Sequence, residues 1–97
     1  SDHIILINLD TEKIKAIKEK NIKNEITKYQ ILLISKVKIQ MLKDSENINF
    51  NRSVAGEFLV ADNYSTTVTN EKKLIDNLVD HLSEQILDKI NSEINDN

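Results

Sequence analysis

The chain of 97 residues contains no cysteine, no proline and no tryptophan, and a single glycine, Gly56. Without cysteine there is no disulfide framework and no thiolate zinc cluster, and the redox compartment is left open. One glycine excludes a Gly-rich phosphate loop, and no nucleophile elbow or carboxylate pair in an apolar setting is present. No apolar run approaches the ~18 to 20 residues needed to span a bilayer, and no signal peptide is found. The expectation is a soluble chain, or the soluble part of a longer one. At this length it forms one domain, 1–97, which buries only roughly two thirds of the surface its unfolded chain exposes.

Charge is unevenly distributed about a net of -3. Six lysines, Lys13, Lys15, Lys18, Lys20, Lys23 and Lys28, stand against Glu19 and Glu25 between residues 13 and 28. Residues 71–97 carry seven acids against Lys72, Lys73 and Lys89. Solvated surface explains most charge runs of this kind. The lysine segment has phosphate affinity, but no aromatic is interleaved with it and the net charge is acidic, so nucleic acid is not an expected partner.

Hydrophobic patterning is clearer. In KYQILLISKVKIQML (28–42), Tyr29, Ile31, Leu33, Val37, Ile39 and Met41 share one parity, and Lys28, Gln30, Lys36, Lys38 and Gln40 the other, broken only by Leu32 and Ile34. That is a strand with one buried face. KDSEN (43–47) reads as a polar turn. Alternation resumes in INFNRSVAGEFLVADNY, with Ile48, Phe50, Val54, Phe58, Val60 and Tyr64 on one side, and Gly56 marks a bulge or a close approach. Upstream, HIILINLD reads as a strand with His3, Ile5, Ile7 and Leu9 on one parity. The segment 11–27 is either helical from Asp10 or Thr11, or a strand extended to a turn near Lys20 and Asn21. The strand reading is adopted because it yields a continuous meander with short connections.

From 71 to 94, Leu74, Leu78, Leu82, Ile86, Ile90 and Ile94 recur every four residues, with acids nearly opposite. An amphipathic helix follows, capped by Thr69 or Asn70, with Glu71 in its first turn and the β-branched run 66–69 ending the strand before it. The fold class is α+β: a three-stranded antiparallel meander with a C-terminal amphipathic helix packed on one face. Apolar residues of the other parity, Ile4, Leu6, Leu32 and Ile34, add surface that a single helix is not expected to cover.

Chemistry is sparse. His81, Glu84 and Asp88 share a helical face, but a solvated charged face is the far commoner meaning of such a set. His3 and His81 have no local triad partners. No catalytic residue, metal site or cofactor is assigned, and the expectation is a protein that is not an enzyme.

The element order, a long strand entered through Tyr29-Gln30, a polar turn, a strand ending in small polar residues, Asn70-Glu71, and the helix LIDNLVDHLSEQILDKI, resembles the LptE (RlpB) family of outer-membrane lipopolysaccharide-assembly lipoproteins. The resemblance covers essentially the whole chain. It implies an accessory that plugs the LptD barrel, binds lipopolysaccharide and is lipid-anchored at the periplasmic face of the cell outer membrane. The family pattern begins with a lipobox cysteine, a strand and a first helix packed on the sheet, so Ser1 would lie after these in an N-terminally shortened chain. For that shortened form, a second copy of the chain is a further expected partner. Basic residues near the sheet loops contact lipopolysaccharide in the family. Thr67, Val68 and Thr69, just ahead of the last helix, carry no charge, so the resemblance assigns lipopolysaccharide binding to Lys18, Lys20 and Lys23, flanked by Ile17 and Ile22.

Overall fold

The computed structural model describes residues 5–41 and 46–95. His3, Ile4 and residues 43–45 of the expected polar turn lie outside the described residues. Three strands, β1 (Ile5–Lys20), β2 (Ile26–Met41) and β3 (Glu46–Leu59), precede one helix, α1 (Tyr64–Asn95). They form an antiparallel sheet in the order β1-β2-β3, the expected meander. The strand reading of segment 11–27 holds: β1 runs unbroken to Lys20 and a turn follows. Strands of 16 residues at ~3.3 Å per residue span ~53 Å, which accounts for a molecule 60 × 19 × 18 Å in extent.

The register determines which side chains share a face. Leu9 pairs with Val37, and Val37 with Phe50. Odd residues of β1 up to Ile17, odd residues of β2 and even residues of β3 therefore face the helix together. Ile31, Leu33, Val37, Ile39 and Phe58 are buried there against Leu78, Leu82, Ile86 and Ile90 of α1. A stripe with a period of four drifts about 40° around a 3.6-residue helix at each step. Such a winding stripe follows the right-handed twist of long strands. Ser35 falls on the same apolar parity and is fully buried, its hydroxyl hydrogen-bonded at 3.1 Å to that of Thr11 directly opposite. The pair satisfies a polar group that would otherwise be costly under the helix.

Gly56 is a close approach and not a bulge, since β2 and β3 pair without a register shift. A Cβ built there would lie 2.6 Å from Leu74 Cδ1, so the helix sits almost directly on the strand backbone. The irregularities lie between β1 and β2 instead: Ile17 pairs with Tyr29 but Glu19 with Lys28, leaving Lys18 as an extra residue of β1, and Lys20 pairs with Ile26, leaving Thr27 as an extra residue of β2.

The strand-to-helix junction differs from expectation. The helix begins at Tyr64, seven residues before Glu71, and takes in the β-branched run 66–69. Asn63 is the cap: its Oδ1 accepts from the Thr66 amide at 2.7 Å and from the Ser65 hydroxyl at 3.1 Å. The Ala61 amide donates to Thr67 Oγ1 at 2.8 Å, and Asn70 Nδ2 donates to the Leu59 carbonyl at 3.0 Å, tying the first turns to the end of β3. Threonine and valine cost only a few tenths of a kcal/mol each in a helix, less than an N-cap and these ties return. Thr69 and Asn70 are interior helical residues, and Glu71 is not in the first turn.

Asn63→Ala is expected to lower unfolding free energy by about 1 kcal/mol in urea denaturation. Thr69→Ala, at the cap position suggested by composition, is expected to change it by no more than about 0.5 kcal/mol.

Candidate functional site at the basic hairpin end

Helix α1 lies over β3 and β2. β1 is left at the open side of the sheet, exposed along its length except at Ile5. Ile7 and Leu9 face the helix side yet are 45 % and 58 % exposed. On the other face, Ile14 pairs with Leu32 and Leu32 with Ala55, an apolar row that α1 does not reach. The surface the sequence leaves without a cover is therefore concentrated on and beside β1.

The lysines assigned by resemblance gather at one end of the long axis. β3 stops at Leu59 opposite Lys28, so the Lys20–Ile26 pair and the turn beyond it project without a third strand beside them. The turn is ordered by Asn21, whose Oδ1 accepts from the amides of Lys23 at 2.9 Å and Glu25 at 3.0 Å. Its amide donates to the Glu25 carbonyl at 2.9 Å, and the Asn24 amide donates to the Asn21 carbonyl at 2.9 Å. Asn24 holds a φ of 65°, a left-handed conformation that asparagine tolerates better than most residues. A tight turn is thus made without glycine or proline.

Lys20 closes β1 and Lys23 sits in this turn, with Ile22 between them fully exposed. Lys18, at the bulge, faces Glu57 at 3.8 Å, and Lys28 faces Glu19 at 3.8 Å. Among the described residues, the ammonium groups of Lys20 and Lys23 form no ion pair. The hairpin end therefore brings Lys20 and Lys23 together as free cations, and holds Lys18 close by but partly neutralised. Ile17 is half exposed on the helix side at the base of the same end. Cations beside exposed aliphatic groups are suited to bind an anion that carries an apolar tail.

Lys15 was not singled out by sequence, and the structure gives it a distinct place. Its parity puts it on the helix side, opposite Ile31. There its Nζ lies 4.5 Å from the Tyr29 ring centroid and 5.4 Å from that of Phe58, two rings stacked at 5.4 Å, and it bonds Glu71 Oε1 at 2.9 Å. Glu71 thus serves as a clasp between α1 and β1. Its one signal in the sequence was a lysine on the apolar parity of a strand, a position that Lys13 shares, so its partners were not legible until the register brought Tyr29, Phe58 and Glu71 together. His81, Glu84 and Asp88 are all exposed on α1.

No protein-family model, curated protein or solved structure matches the chain. The site accordingly rests on the geometry described and on the chemistry of its residues.

Lys15→Ala is expected to destabilise the fold by about 1 kcal/mol, the sum of an exposed ion pair and a cation–π contact, and Glu71→Ala, which removes the ion pair alone, by about 0.5 kcal/mol. Denaturation of the double variant is expected to show less than the sum of the two losses, because the partners share one interaction.

Proposed function

We propose that the chain is a non-catalytic accessory of outer-membrane lipopolysaccharide assembly, which binds lipopolysaccharide at its basic hairpin end and docks with an LptD-like barrel. The observation that carries this reading is the placing of Lys20 and Lys23 as free cations on either side of an exposed isoleucine, with Lys18 beside them. Lipopolysaccharide presents anionic phosphates next to acyl chains, and this end offers both complements. The open side of the sheet at β1 is the surface proposed for the barrel and for a second copy of the chain. A lipid anchor and a place on the periplasmic face of the outer membrane belong to the same proposal. A small protein-interaction module unrelated to lipopolysaccharide is the second reading, and the exposure of β1 on both faces favours it.

The two readings part on lipid. Replacing Lys18, Lys20 and Lys23 with glutamate is expected to weaken lipopolysaccharide binding at least tenfold, each cation near an anionic lipid surface contributing about 1 kcal/mol. Binding by the unaltered chain is expected to fall as salt rises, since exposed charges are screened over ~8 Å at physiological ionic strength. Titration at low and high salt, with circular dichroism to verify the fold, measures both. Equal binding by the triple variant and the unaltered chain would remove these residues from the site and favour the interaction module.

A further inference from the structure

The hairpin end has a feature that charge alone does not explain. Ile22 stands in the turn, wholly open to water, although threonine, serine or asparagine would suit an Asn-stabilised turn equally well. Isolated exposed aliphatic residues are common on protein surfaces. This one differs in three respects: it lies at a pole of a molecule 60 Å long, it projects beyond β3, and its turn is held by the Asn21 carboxamide, so that the side chain is presented rather than folded back. Free ammonium groups stand on both sides of it, at Lys20 and Lys23. Tyr64 and Leu59, both exposed, belong to the β3–α1 junction at the same end.

We infer that the β1–β2 turn is a lipid-inserting finger, in which Ile22 enters the acyl layer of an anionic lipid surface while Lys20 and Lys23 rest on its phosphates. The physical basis is that an aliphatic side chain leaving water gains in proportion to its area, and that cations just above it add attraction to anionic headgroups. An order imposed by Asn21 means that little conformational entropy is lost when the tip inserts. The inference rests on reading this end as the lipid-contacting pole and adds the element that enters the lipid. The lipid layer of lipopolysaccharide and a phospholipid bilayer both offer phosphates above acyl chains, so the test carries both.

The chain has no tryptophan, so Ile22→Trp introduces a single reporter at the tip. Vesicles of phosphatidylcholine with phosphatidylglycerol, vesicles of phosphatidylcholine alone and lipopolysaccharide aggregates serve as probes. Emission of Ile22→Trp is expected to shift to the blue and to be quenched by brominated acyl chains on the anionic vesicles, to shift likewise on lipopolysaccharide, and to stay unchanged on phosphatidylcholine alone. Leu87→Trp, 23 residues along α1 and hence ~35 Å from its start, is expected to show no change on any of them. Ile22→Asp is expected to sediment with anionic vesicles about tenfold less well than the unaltered chain, with an unchanged circular dichroism spectrum.

If the tip reporter stays unshifted and unquenched on both anionic surfaces, the finger is overturned, and so it is if Ile22→Asp binds as well as the unaltered chain. These results are separable from the lysine experiment. Loss of lipopolysaccharide binding in the lysine variant together with a silent Ile22→Trp retains the lipopolysaccharide reading and removes the finger. A shift on phosphatidylglycerol without one on lipopolysaccharide retains the finger and removes the lipopolysaccharide reading.

Discussion

Cohesion in this molecule depends on the row Ile31, Leu33, Val37 and Ile39, which β2 presents to α1 and which is buried almost completely. A three-stranded sheet has one interior strand, and only that strand has neighbours on both sides as well as a helix above. Leu78, Leu82, Ile86 and Ile90 close over the row from the other side. Burial of a residue of this size contributes ~1.5 to 3 kcal/mol, so these side chains supply most of the favourable free energy available to a small fold. Phe58 and the contact of Leu74 with the Gly56 backbone extend the same seam toward the start of the helix. Ser35 and Thr11 interrupt it with one hydrogen-bonded polar pair, which favours a single register because a slip by one residue would strand a hydroxyl under apolar groups.

The consequence of a core built on β2 is that β1 is held by its backbone ladder and little else. Its helix-side residues Ile7 and Leu9 remain open. A side-chain connection between β1 and α1 is made by Lys15, which bonds Glu71 and lies against the Tyr29–Phe58 stack. An edge strand exposed on both faces is a template for association unless protected. The lysines along β1 and the bulge at Lys18 are devices that proteins use for such protection.

The hairpin end combines two properties that arise independently. Its positive charge comes from composition, the clustering of lysines in 13–28. Its shape comes from strand lengths: β3 stops at Leu59 opposite Lys28, whereas β1 and β2 continue to their turn. A short projection results, with one exposed aliphatic side chain in its turn and, on either side of it in the chain, lysines that form no ion pair among the described residues. Neither property alone indicates a ligand with both charge and acyl chains, and their coincidence at one pole is what directs the functional reading toward lipid.

Strand parity made much of this legible beforehand. The alternation in 28–42 and, as far as Phe58, in 48–64 identified the buried faces of β2 and β3, although Val60 and Tyr64, expected on the buried side, lie beyond β3 and are exposed; the period of four along the helix identified its buried stripe, because both signals are local and repeat often enough to outweigh exceptions. The meander followed from the shortness of the connections. Lys20 and Lys23 fall at the same end of the sheet because β1 closes at Lys20 and the turn that follows holds Lys23. The start of α1 was not legible: the run 66–69 favours strand by its side chains, and the cap at Asn63 is accompanied by ties from Thr67 to Ala61, in the link after β3, and from Asn70 to Leu59, the last residue of β3. The same holds for Lys15 between two rings, for Lys18 at a bulge facing Glu57, and for Gly56 beneath Leu74. Each of these depends on which residues of distant segments are brought opposite one another, and that is decided by the register of the strands and the line along which the helix crosses them, quantities that no local pattern in the chain encodes.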